Sequence, residues 1–177
     1  MKTRATTHFC EEKFTLRSVL KTDAEVLRKW KNDHKEFFFH KQEISKEEQE
    51  KWIESLNARK DDHMFIIMDN ETPIGSVGTR LYQEFVDIYN VILGDKSYKG
   101  KHVMTHAVWA TVAFSNLVFV NKPVRVRVLR SNPAIKWYEK IGFNTIDYFD
   151  DHIFMQFRSQ DIKTKFDFNI NITLPII

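Results

Sequence analysis

The stretch DKSYKGKHVMTHAVWATVAF, Asp95 to Phe114, decides how the chain is read. Lys96, Lys99 and Lys101 fall within six residues around Gly100, immediately before a long helical pattern. Ahead of it, VDIYNVIL (residues 86–93) is a β-branched and aromatic run that reads as a strand. A strand, a short basic loop with a glycine and a helix N-terminus together make a phosphate-binding geometry. The unpaired N–H groups of the first helical turn and the helix dipole face an anion, and the lysines add charge.

Outward from this stretch, the pattern gives alternating strands and helices. Residues 13–20 alternate apolar and polar side chains and read as a strand. A helical face of Ala24, Val26, Leu27 and Trp30 follows, with Thr22 or Asp23 as its cap. HKEFFFHKQ (34–42) has no clean period and reads as a loop, and Ser45 with Glu48 is a capping box that opens a helix through residue 58. Residues 64–69 and 74–82 form a hairpin about NETP, and Gly75 and Gly78 mark a bulge or a close approach in its second strand. After the strand 86–93, a largely buried helix over about 102–119 leads to the strictly alternating strand VRVRVLR (124–130). SNPAIKWYEK then reads as a helix closed at Gly142, and residues 143–149 and 152–157 as a last hairpin. The order predicts a single α/β domain around a mixed sheet.

The chain has 177 residues, enough for one domain with a real core, and its net charge of +3 makes no case for nucleic acid. One cysteine, Cys10, excludes an internal disulfide and fits a reducing compartment. The N-terminus lacks the apolar core of a secretory signal, and no run approaches the ~20 apolar residues of a membrane helix. A cytoplasmic location with no membrane partner is expected. Two motifs mislead. GDKSYKGK (94–101) has one spacer too many for a Walker loop, and His102 stands where Ser or Thr would hold magnesium. His102 and His106 have the spacing of a zinc-protease helix, but Val103 replaces its catalytic glutamate, so no metal is expected.

AIKWYEKIGF (134–143) closely resembles the A-x-x-x-Y-E-K-x-G-F helix of the GNAT acetyltransferase superfamily, and ILGDKSYKGK (92–101) resembles its cofactor loop. The segments 16–33 and 44–56 resemble the subgroup that acetylates ribosomal-protein N-termini and amino-sugar nucleotides. The resemblance covers roughly residues 14–157. It implies a mostly antiparallel sheet with its fourth and fifth strands splayed, acetyl-CoA as acetyl donor, and a domain spanning 13–158 between extensions at 1–12 and 159–177.

By the same resemblance, pantetheine pairs with the backbone of Ile92, Leu93 and Gly94. The pyrophosphate lies on the loop and first turn formed by Lys99, Gly100, Lys101, His102, Val103, Met104 and Thr105. Asn132 either contacts the cofactor or merely caps its helix. The loop departs from the family pattern, which has glycine or alanine where His102 and Met104 stand. Either the loop turns helical with those side chains directed away, or it grips CoA poorly and the module only binds a partner. Tyr138 matches the family's tyrosine and is implied as general acid, since a phenol is protonated at neutral pH.

Asp87, on the strand leading to the cofactor, is the candidate base. A hydrogen-bonded strand aspartate is the other reading, and His34 or His40 could take its place. Trp30, Asn32 and Phe37 to Phe39 are expected to line the acceptor pocket, with ordinary packing as the other reading of the phenylalanines. The acceptor is a small-molecule amine, with a nucleotide-linked amino sugar favoured by the resemblance and a protein N-terminus as the alternative. FDFNINIT (166–173) alternates as a further strand that either caps the sheet edge or crosses to a second subunit in a homodimer.

Overall fold

The computed structural model describes residues 4–9, 12–56, 58–158 and 169–173. In chain order the elements are β1 (Arg4–Phe9), β2 (Glu12–Ser18), α1 (Ala24–Asp33), α2 (Lys46–Leu56), β3 (Asp62–Asp69), β4 (Thr72–Leu81), β5 (Val86–Leu93), α3 (Val103–Val118), β6 (Val124–Leu129), α4 (Ile135–Lys140), β7 (Phe143–Tyr148), β8 (His152–Phe157) and β9 (Asn169–Thr173). The strands form one sheet in the order β7-β8-β6-β5-β4-β3-β2-β1-β9. Strands β2 to β8 are the seven that the sequence pattern anticipates. Of the strand expected at 166–173, the part described is β9, and it pairs antiparallel with β1 at the sheet edge of the same chain. The polar run RATTHF of β1 carries no alternation by which the sequence could announce it.

Each face of the sheet buries its own core. Phe65 and Ile67 of β3 point with Val77, Ile88 and Val126 toward α3, which contributes Val103, Ala107, Val108 and Phe114. On the other face, Met64, Ile66 and Ile92 meet Leu27 and Trp30 of α1 and Ile53 and Leu56 of α2. The apolar run MFIIM of β3 is therefore what a central strand buried on both faces requires. The Ser45 hydroxyl accepts from the Glu48 N–H at 3.2 Å and the Glu48 carboxylate accepts from the Ser45 N–H at 2.8 Å, so the expected capping box opens α2. Asp23 does not cap α1. It pairs with Arg17 at 2.6 Å and accepts from the Leu20 N–H at 2.7 Å, closing a short 3₁₀ turn before the helix.

One strand departs from simple alternation. Asn90 sits in the middle of β5 with φ of 49°, and the register between β4 and β5 shifts between Ser76 and Gly78. Asparagine is among the few side chains that enter the left-handed region readily, and here it makes a bulge. The bulge moves the strand's pattern by one residue. Ile88 faces α3 and Tyr89 faces α1, but beyond Asn90 it is Val91 that faces α3 and Ile92 that faces α1.

The helix expected from about residue 102 starts at Val103, because His102 holds the left-handed conformation at φ 58°. Gly75, Gly78 and Gly94 are all sites of close approach. A Cβ on Gly75 would lie 2.6 Å from the Ile92 carbonyl oxygen, and one on Gly78 would lie 2.6 Å from the Tyr89 ring. At Gly94 it would lie 2.0 Å from the Trp30 indole, so α1 rests directly on the end of β5 through that ring. Gly94→Ala must displace Trp30, and the expected cost is about 1–3 kcal/mol of overpacking in urea denaturation. A stability equal to wild type would mean that the indole does not seat on this backbone.

Candidate active site

The parallel pairing of β5 with β6 is short. It joins Val86 to Val124, Asp87 to Arg125 and Ile88 to Val126, and stops there although both strands run on. Beyond that point the strands part, and a cleft of about 1000 Å³ opens between them. Ile92 and Leu93 line one side of it, Val128, Asn132, Trp137 and Tyr138 the other, and the first turn of α3 closes one end. Backbone amides that leave a ladder need new partners. The facing edges of β5 and β6 are thus suited to an extended, amide-bearing arm.

The basic loop meets this cleft at the α3 end. Lys96, Lys99, Gly100, His102, Val103, Met104 and Thr105 line it, whereas Lys101 turns aside to lie 4.6 Å over the Tyr98 ring. Gly100 at φ 83° and His102 at φ 58° give the loop the curvature that glycines supply elsewhere. Of the two expectations for this loop, a helix from the outset with both side chains turned away is not met, since His102 is left-handed and both His102 and Met104 line the cleft. The backbone keeps the glycine-like bend, and Met104 leans toward β4, its sulfur 3.4 Å from where a Cβ on Gly75 would stand. Histidine meets the demand because it is among the side chains enriched at positive φ. The first turn of the 16-residue α3 then presents unpaired N–H groups beside two lysines, a seat that fits a diphosphate.

Two expected site residues in this region have other work. The Gly94 N–H donates to the Ile74 carbonyl oxygen at 2.9 Å on the β4 side, so it is not available to a ligand in the cleft. Asn132 does line the cleft, but its Oδ1 accepts from the Ala134 N–H at 2.9 Å and so closes the turn into α4. The acceptor wall also differs from expectation. Trp30 and Asn32 do not line the cleft, the first because it is buried over Gly94. Asn32 exchanges two hydrogen bonds with the Ile44 backbone, at 2.9 and 3.0 Å. Lys31, between them in sequence, does line the cleft, together with Phe37 to Phe39, Trp52, Arg80 and Tyr82. The sequence signal for Lys31 was its place one residue from Trp30 on a helix, which turns it to a different face.

At the closed end of the splay, Asp87 and Tyr138 face the same space. Asp87 is placed by β5 alternation on the face opposite the α3 core. Its Oδ1 is buried and makes no hydrogen bond among the described residues, and burial pushes its pKa up to about 7 against the opposing charges of Arg127 and Arg80 and a hydrogen bond from the Arg127 backbone. Tyr138 is 5% exposed, on the inner face of α4 and in edge contact with Phe143 at 5.5 Å. Burial raises its pKa, and the nearby Asp87 charge raises it further. The Trp137 indole N–H donates to the Thr105 hydroxyl at 3.2 Å, which fixes α4 against the first turn of α3. A carboxyl that titrates near neutrality and a phenol that keeps its proton therefore share one pocket. Such a pair can take a proton at one atom and hold one at another.

A family model described as an acetyltransferase (GNAT) domain matches residues 13–144, most of the chain. The chain belongs to the GNAT acetyltransferases. It is an acyltransferase by fold and family, and the GNAT fold uses acetyl-CoA. No curated protein matches the chain. Among solved structures, a domain from Methanocaldococcus jannaschii is 24% identical, with a TM-score of 0.71 over 82% of this chain and 98% of that one. FdhC, a nucleotide-linked sugar GNAT, is 21% identical, with a TM-score of 0.70 over 85% and 89%. RimL, a ribosomal L7/L12 α-N-protein acetyltransferase solved with coenzyme A, is 14% identical, with a TM-score of 0.67 over 86% and 97%. At these identities the likeness speaks for the fold.

Two outcomes follow for this GNAT domain. Because Asp87 binds its proton more tightly folded than unfolded, between about pH 4 and 7 the folded state carries more protons and loses stability as pH rises. Asp87→Asn removes that loss. It is expected to raise stability at pH 8 by on the order of 2–4 kcal/mol, with little change at pH 4, as read by denaturant unfolding at both pH values. His102→Gly relieves a left-handed side chain and is expected to raise stability by about 0.5–1 kcal/mol. His102→Val, β-branched at the same φ, is expected to lower it.

Proposed function

We propose that the protein transfers the acetyl group of acetyl-CoA to a primary amine of a small molecule, and that the acceptor is a nucleotide-linked amino sugar. The observation that carries the reaction is the buried Asp87 carboxyl, whose Oδ1 has no hydrogen-bond partner among the described residues, in one pocket with the Tyr138 phenol at the closed end of the β5–β6 splay. Bound acetyl-CoA supplies an activated acetyl thioester. The edges of Ile92 and Leu93 bind its pantetheine arm, and Lys96, Lys99 and the first turn of α3 hold its diphosphate. Asp87 accepts the proton that the attacking amine must lose, and Tyr138 donates one to the departing thiolate. The two residues are coupled. The Asp87 charge raises the Tyr138 pKa, so once Asp87 is protonated the phenol is more acidic than before. The glycine-like backbone at His102 favours catalysis over a module that only binds a partner. The cytoplasm, where acetyl-CoA and amino-sugar nucleotides meet, is the location consistent with this reading, and among the described residues no helix is long and apolar enough to cross a membrane.

The test is acceptor-dependent release of CoA over a panel of amines. Tyr138→Phe is expected to lower turnover roughly 10²-fold while acetyl-CoA affinity stays within twofold, as measured by thermal shift. The rate should rise with pH through about 7 in the wild type, and Asp87→Asn should abolish that limb. Unchanged turnover in Tyr138→Phe would remove the phenol from the mechanism. A rate limb that survives in Asp87→Asn would assign the base elsewhere.

A further inference from the structure

The acceptor end of the cleft is cationic beyond what the reaction needs. Among the lining residues the lysines and arginines are Lys31, Arg80, Lys96, Lys99 and Arg127, and the one carboxylate is Asp87. Lys96 and Lys99 sit at the diphosphate end. Arg80 is already matched, since its guanidinium pairs with the buried Asp62 at 2.8 Å. Lys31 has no such match. Its ammonium lies 5.3 Å over the Trp52 ring, and among the described residues it forms no ion pair. Burial lowers its pKa and the Arg80 charge lowers it further, so two cations are held near each other in a partly desolvated cleft. Across the mouth, Arg127 lies exposed with its guanidinium 4.2 Å over Phe39, and it too forms no ion pair among the described residues. Asp87, the one carboxylate of the lining, offsets at most one of these charges.

A half-buried ammonium beside a second cation costs stability unless an anion completes it. An ion-pair partner brought by a ligand would gain charge-assisted hydrogen bonds from both walls. We infer that Lys31 and Arg127 form an anion clamp at the acceptor end, so that the substrate amine belongs to a molecule carrying a phosphate or carboxylate. The inference deepens the proposed reaction and rests on it for the identity of the acceptor. The same field repels polyamines. It also lowers the pKa of a bound ammonium, raising the neutral fraction able to attack the thioester.

The experiment compares CoA release with glucosamine, glucosamine 6-phosphate, a UDP-linked amino sugar, β-alanine and spermidine. The anionic amines are expected to exceed glucosamine at least tenfold in kcat/KM, and spermidine to be poorest. The phosphate and carboxylate members tell which anion is read. Lys31→Met and Arg127→Gln are each expected to erase most of that advantage through KM for the acceptor, with KM for acetyl-CoA within twofold. Lys31→Arg should keep it. A preference for spermidine, no advantage for the anionic amines, or an advantage that survives in Lys31→Met would overturn the clamp and leave acetyl transfer standing. If no amine releases CoA, calorimetric titration with UDP decides separately. Binding that is lost in Lys31→Met and kept in Lys99→Met retains the clamp while the proposed reaction falls, and absence of such binding sinks both.

Discussion

β5 and β6 stay paired for only three residues of each strand, and the site is built from that early parting. A parallel pair that continued would satisfy its own amides and leave no slot. Here the strands separate just past Ile88 and Val126, and the Asn90 bulge re-aims the remainder of β5. Its effect is visible in the packing. The strand serves the α3 core before the bulge with even-numbered residues and after it with Val91, so the backbone turns without sacrificing either core. α3 then enters beneath the gap, and its first turn faces the space that the parting creates.

The charges around this gap divide it into two ends with different tasks. The α3 end presents amide donors and exposed lysines and suits a mobile, strongly hydrated diphosphate. Where the strands begin to part, a buried carboxyl rises toward neutrality while a buried phenol is held protonated. The Asp62 cluster keeps the far side in order. Its buried carboxylate receives Arg80, Arg59 and the Tyr89 hydroxyl, and it thereby fixes three long side chains behind the reacting space. Arg80 also lies 4.6 Å over the Tyr89 ring, which adds a second constraint to the same guanidinium.

Much of this was legible in the sequence, and the rest failed for definite reasons. The alternation of β6 was plain, Asp87 stood out on β5, and the Tyr138 helix announced itself by its motif. The loop bend at His102 was hidden, because a histidine at positive φ carries no mark distinguishing it from one at a helix start. Asn90 was equally silent inside a run of strand formers. Trp30 and Asn32 were misplaced, since a tryptophan that covers a glycine and one that lines a pocket look alike in one dimension. The choice depends on how α1 rolls against β5, and the absence of a Cβ at Gly94 is what lets the indole settle there. β1 was missed because its own pattern is polar, although it folds back as a hairpin on the adjacent β2.

The two hydrogen bonds between the Asn32 side chain and Ile44 pinch together the ends of a loop that contains all three phenylalanines of the cleft wall. With its stem clamped, the loop behaves as a cassette. Its closure entropy grows only slowly with length, so residues inserted between the clamp points would reshape the mouth at little thermodynamic cost. The donor seat, which belongs to the sheet and α3, would not feel the change. Acceptor choice in this scaffold can therefore drift independently of the acyl carrier it draws on.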